Sequence, residues 1–159
     1  MVESELPRFY DYSDLQRWLH QEKSPVVISH HKHHDPNLPL HSHNFIEIVV
    51  INSGRGRHIL KDYEHPLLAG DIFIIPRGME HGYINEDKLV ITNILFQVAT
   101  IENHFPEISE MPEFFSFFVA DSMPEMMNNK VCHLMNLNQD EMVYLEGLTN
   151  RISLEQRND

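Results

Sequence analysis

The sequence predicts a mainly β domain, an antiparallel sandwich or barrel with a short helix near its start and helical sequence at its end. Three observations predict it. Between residues 38 and 97, short apolar runs are separated by turn signals every 8 to 12 residues. The turn signals are the residues that reverse a sheet, glycine, proline, asparagine and aspartate. Nothing in that stretch repeats a helical period.

The elements follow in order. After Pro7, Leu15, Trp18 and Leu19 recur at the spacing of a short amphipathic helix, with Ser13 as a capping residue. This helix either docks on the outside of the core or belongs to a mobile arm that responds to ligand. Pro25 ends it, and residues 26–28 read as the first strand. The histidine tract His30, His31, His33, His34 runs into Asp35-Pro36-Asn37 and reads as a solvated loop or strand end, of a composition that collects metals adventitiously. Further strands are expected at 45–51, 57–60, 65–68, 71–75, 81–84 and 88–97. Asn52-Ser53-Gly54-Arg55-Gly56 supplies glycines for a hairpin reversal, Lys61-Asp62 and Glu86-Asp87 mark two more, and Pro76-Arg77-Gly78 breaks the ladder. Residues 45–51 are apolar on both faces, as in a central strand. Phe114, Phe115, Phe117 and Phe118 form an aromatic patch expected to close one end of the barrel. From Gln139, the apolar positions Met142, Leu145, Leu148 and Ile152 recur at helical spacing, with Asp140 and Glu141 in the first turn. That stripe either folds back on the barrel or pairs with another subunit.

Composition narrows the function. A chain of 159 residues with 42% hydrophobic content suits one domain with a real core. Twelve Lys and Arg against 24 Asp and Glu give a formal charge of −12, a surface that repels phosphate backbones. The single cysteine, Cys132, rules out an internal disulfide and a cysteine-based zinc framework. There is no apolar run of membrane-spanning length, and the polar start is unlike a signal peptide, so a cytoplasmic location is expected.

The chemistry concentrates between His41 and Asn85. His41, His43, Glu47 and His81 are the ligand types of a borderline divalent metal. On a continuous strand the odd-numbered His41, His43 and Glu47 face one way. The same side chains also suit the polar lining of a sugar pocket with no ion present. A metal accounts better for Glu47, which would otherwise be a buried carboxylate without an evident partner. Phe45, Arg57, Arg77 and Tyr83 are candidate lining residues, the arginines being equally well placed as surface charges because strand parity is uncertain across the glycines.

Two motifs in this stretch carry a resemblance. His41-x-His43-x-x-x-Glu47, then six residues and Gly54, is followed by Gly70, five residues and Pro76-x-Gly78-x-x-His81-x-x-x-Asn85. Together they resemble the signature pair of the cupin superfamily, apart from the glycine expected before the first histidine. The resemblance implies a double-stranded β-helix (jelly-roll) barrel holding a divalent ion, Zn, Ni, Mn or Fe, through His41, His43, Glu47 and His81. The run from His41 to Phe96 is similar, more narrowly, to the N-terminal effector-binding domain of AraC-type bacterial transcription regulators, nearest to the rhamnose regulators.

That resemblance implies an arm at 1–25, a cupin effector-binding domain at 26–137, and at 138–159 the start of a dimerisation helix with Met142, Leu145, Leu148 and Ile152 in its interface. The expected partners are a small-molecule effector, a sugar, and a second copy of the chain. DNA would be contacted only through a C-terminal domain not in this chain, since no recognition helix or basic face is present. The rival is a free-standing metal-dependent cupin enzyme, a sugar isomerase or dioxygenase, using the metal as a Lewis acid or for oxygen activation.

Overall fold

The computed structural model describes residues 9–22, 24–32, 37–60, 63–112, 118 and 133–156. In chain order the elements are β1 (Phe9–Tyr10), α1 (Tyr12–Trp18), β2 (Val27–Lys32), β3 (Asn37–His43), β4 (Ile46–Leu60), β5 (Tyr63–Leu67), β6 (Asp71–Ile75) and β7 (His81–Phe96). There follow α2 (Val98–His104), a 3-10 turn (Pro106–Glu110), β8 (His133–Asn136) and α3 (Gln139–Gln156). The protein is a curled, mostly antiparallel sheet with a short N-terminal helix and a long C-terminal one. Residues 113–117, which carry most of the aromatic patch, lie outside the described residues, as do His33 and His34. Phe118 packs edge-on against Phe96, with ring centroids 5.3 Å apart.

The long strands β4 and β7 run antiparallel from Ile46↔Phe96 to Leu60↔His81. β6 and β5 flank β4 at its start and end, and β2 and β3 flank β7. The turn signals predict a hairpin at Gly54 and a reversal near Asp87 that would divide each of these strands in two; neither reversal occurs. The register instead slips three times between Ile51 and Arg57. Gly54 has φ +87°, and a Cβ there would lie 2.2 Å from the Lys88 carbonyl oxygen on the facing strand, so only glycine fits. Lys88 is itself left-handed at φ 52°. Bulges let a ribbon bend without breaking, and they change which residues face inward.

That change of parity sets the interior. Before the slips Glu47, Val49 and Ile51 are buried; after them His58 is buried and Arg57 is not. Val49, Ile51, Leu67, Phe73, Ile75, Tyr83, Leu89 and Ile91 form one core cluster. Each fully buried side chain of this size is worth about 1.5–3 kcal/mol. A second cluster, Ile46, Ile74, Phe96 and Ile101, is packed under α2 and the 3-10 turn. Every residue of β6 is buried, which explains its unbroken apolar run.

α1 begins two residues earlier than a cap at Ser13 would start it. Its cap is Asp11, whose carboxylate accepts from the Ser13 backbone N–H at 2.9 Å. α3 is started by a capping box. Asn138 Oδ1 accepts from the N–H groups of Asp140 and Glu141 at 3.0 Å, while the Asn138 N–H donates to Glu141 Oε2 at 2.8 Å. Thr149 is the buried residue of α3. With Met142 and Leu145 it faces Val50, Asn52 and Thr92 on the outer side of the sheet. Leu148 and Ile152 are exposed, as are Val143 and Tyr144. The four positions expected in a dimer interface are therefore divided, two toward the sheet and two outward.

Candidate ligand and metal site

His41 and His43 lie on β3, Glu47 on β4 and His81 on β7, where His41 and His81 are register partners. The turn after β6 positions His81. Met79 N–H donates to the Pro76 carbonyl at 3.2 Å, and Gly78, at φ +79°, donates its N–H to the His43 carbonyl at 2.7 Å. All four side chains are buried, with His81 wholly so.

The ring nitrogens define the chemistry. His43 Nδ1 lies 2.8 Å from the Phe45 carbonyl and His81 Nδ1 lies 3.2 Å from the Met79 carbonyl. A carbonyl only accepts, so in these bonds Nδ1 carries the proton and donates, which leaves Nε2 with its lone pair in the neutral ring. The two Nε2 atoms approach Glu47 Oε2 at 3.0 and 3.3 Å. Neither makes a hydrogen bond among the described residues. Lone pairs facing a carboxylate need a proton or a cation between them, and carbonyl-oriented histidines are the usual arrangement around a metal. One donor atom each from His41, Glu47 and His81 lie within 4.8 Å of one another. Bonds of about 2.0–2.2 Å would draw such donors to roughly 3–4 Å apart, a side-chain adjustment only. His43 Nε2 lies 3.0 Å from Glu47 Oε2 but outside the 4.8 Å grouping of the other three. These residues fit a divalent ion by donor type and orientation.

Burial pushes the Glu47 carboxyl up, and only a positive charge between it and the His43 and His81 rings, a proton on Nε2 or a cation, would outweigh burial and hold the group below its ordinary range. His58 was not among the expected site residues. It is wholly buried, stacked on Tyr83 at 5.2 Å and edge-on to Phe73 at 5.1 Å, with its centroid 5.9 Å from that of His81. Desolvation, reinforced by His81 and opposed by Glu47, pushes it down to about 3. The parity change across Gly54 is what brings it inside.

A cavity of about 270 Å³ opens beside the cluster. His41, His43 and Glu47 line it with Phe45 and Tyr83, two of the expected pocket residues. Arg57 and Arg77 do not. Arg57 is turned outward and pairs with Glu64 on β5 at 2.7 Å, and Arg77 is exposed in the turn after β6. Ser29, His31 and Asn93 line the cavity from β2 and β7, and sequence reasoning passed over all three. For His31 the signal was alternation with Val27 and Ser29 within the histidine tract.

The roof is the N-terminal segment. Leu15, Trp18 and Leu19 of α1 and the turn after it line the cavity with Tyr10, whose ring stands edge-on to His41 at 5.1 Å. β1 pairs in parallel with Ser42 and His43. Asn44, between His43 and Phe45, fastens the roof: its Nδ2 donates to Asp11 at 2.7 Å, and its Oδ1 accepts from the Tyr12 N–H at 2.8 Å.

Comparison with known proteins gives the family. Residues 24–152 match the model of the AraC-like ligand binding domain. The chain belongs to this family. The AraC-like domain is 32% identical over 138 residues to the HTH-type transcriptional activator RhaR of Mannheimia succiniciproducens, covering 86% of the chain and 44% of that protein. Its similarity to the RhaS activator of the same organism is 36% over 83 residues, 52% of the chain and 31% of that protein. The AraC-like domain thus spans less than half the length of these relatives. Among solved structures, a cupin-2 domain protein from Shewanella frigidimarina aligns at 23% identity and TM-score 0.42, over 46% of the chain and 72% of that protein.

Proposed function

We propose that this AraC-like domain senses a neutral sugar in the cavity beside His41, His43, Glu47 and His81, and that a divalent ion held by those residues helps to bind it. The observation that carries the reading is the cavity itself, which has polar groups on its floor and aromatic faces in its walls and roof. Such a site recognises hydroxyls at one end and the apolar face of a ring at the other. The ion, Zn, Ni, Mn or Fe, would supply an electrophilic contact for hydroxyl oxygens.

Sensing requires that the effector favour one arrangement of a moving part. The arm at 1–25 is that part, because its helix roofs the cavity and Asn44 fastens it beside His43. A second link runs to α3. Gln156 donates to Ser24 Oγ at 2.8 Å and to the Val26 carbonyl at 2.7 Å, on the connector between α1 and β2. Movement of the roof would reach the last turn of α3 through these bonds. The domain at 26–137 would bind effector, and 138–159 would begin the segment through which two copies pair.

The relatives are named transcriptional activators. We infer that the chain regulates transcription in the cytoplasm and that DNA is contacted by sequence outside these 159 residues, since a charge of −12 opposes contact by this segment. No helix among the described residues is long and apolar enough to cross a membrane. The test is the thermal midpoint of the metal-loaded and metal-stripped chain against a panel of neutral aldopentoses and aldohexoses. At least one sugar should raise the midpoint saturably, and more so with metal. A flat response to every sugar in both forms contradicts the reading, and consumption of the bound sugar would favour the rival, a metal-dependent isomerase or dioxygenase.

A further inference from the structure

Besides the histidine and glutamate cluster, His58 and Tyr83, the described inner surface over β4, β7 and β2 carries polar side chains at Ser29 and Asn93. Val49 on β4 faces Asn93 on β7, and Asn93 faces Ser29 on β2. The flanking inward positions Ile91, Leu95 and Val27 are buried and apolar. Asn93 is 8% exposed and lines the cavity, and its Oδ1 has no hydrogen-bond partner among the described residues. Ser29 Oγ lies 2.6 Å from His31 Nε2 beside it. An unpaired buried amide oxygen lowers stability relative to a leucine of similar volume, so its presence on an apolar wall calls for a donor from elsewhere.

The cavity also selects by charge. Among the described residues no Lys or Arg lines it, while Glu47 and Asn93, whose side chains carry acceptor oxygens, both do. A phosphorylated sugar or sugar acid would find no fixed cation there.

We propose that Asn93, with the Ser29 and His31 pair beside it, is a second recognition pole of the cavity. Its Oδ1 accepts a hydrogen bond from one hydroxyl of a neutral monosaccharide whose other hydroxyls face Glu47 and the histidines. This rests on the reading of the cavity as a sugar site.

The test is calorimetric titration of the full chain with neutral aldopentoses and aldohexoses, with monodeoxy analogues of the tightest binder, and with the corresponding sugar phosphates. Wild type should bind one monodeoxy analogue about tenfold more weakly than the parent sugar. Asn93→Leu should bind the parent about tenfold more weakly and no longer distinguish that analogue, while melting without sugar at the wild-type temperature or above it. Asn93→Ala, which adds no bulk, should show the same loss. Binding of the parent within twofold of wild type in both variants would overturn the role of Asn93 and leave the sugar reading standing. Tighter binding of the phosphates would overturn the charge argument, and no binding of any neutral sugar would overturn both the proposal and the reading beneath it.

Discussion

His58 lies between Phe73 and Tyr83 with neither ring nitrogen hydrogen-bonded among the described residues, so the folded protein holds it neutral. Its folded value of about 3 lies below the unfolded value of about 6.5. Between those values the unfolded chain binds the extra proton and the folded one does not, so stability falls as pH drops from 6.5 toward 3. The loss from this group is roughly 2–3 kcal/mol between pH 6.5 and 4.5. Urea denaturation at both pH values should show that loss in wild type, with His58→Phe showing a smaller one by about that amount. Parallel losses would contradict the assignment. The site was legible in sequence at His41 and His43 by alternation along one continuous strand, and at Glu47 by motif spacing, since β3 ends at His43 and Glu47 lies on β4 beyond the Asn44-Phe45 bend. It was illegible at His58 and Arg57, because three register slips between Ile51 and Arg57 exchange their faces and residue order does not record a slip.

The same glycines misled at the scale of elements. Gly54 and Gly56 in a polar setting have the composition of a hairpin turn, yet Gly54 is a bulge pressed against the Lys88 backbone, and β4 continues to Leu60. Local turn chemistry fixes φ, whereas the facing strand decides whether the chain reverses. For α3 the helical spacing found the helix but joined two faces into one stripe. Met142 and Leu145 pack toward Val50 and Thr92, while Tyr144 and Leu148 stand outward at 70% and 42% exposure. The proposed dimer would therefore use Tyr144 and Leu148 with Ile152. If wild type scatters light as a dimer, Leu148→Asp should scatter as a monomer with its melting temperature little changed, whereas an unchanged dimer would remove α3 from the interface. Leu145→Asp would instead place a charge against the sheet and lower the melting temperature.

At the scale of the whole molecule, the metal-type cluster and the roof share one strand. β3 carries His41 and His43 on its inner side, pairs with β1 through Ser42 and His43, and is followed by Asn44, which holds α1. A ligand that moves the His43 to Phe45 segment therefore acts directly on the roof, and Gln156 joins the far side of that roof to α3. The two sequence motifs located the cluster, but the roof was only an amphipathic helix with two readings, because docking depends on Asn44 and Tyr12, whose partners lie 32 residues apart. Trp18 is the single tryptophan, and it lines the cavity while 59% exposed. The most direct test of effector sensing is its fluorescence, titrated with the same panel of neutral sugars. The account predicts a saturable blue shift at the concentrations that raise the thermal midpoint, as the bound sugar and the closed roof exclude water from the indole. A sugar that binds by calorimetry while Trp18 emission stays constant would contradict it.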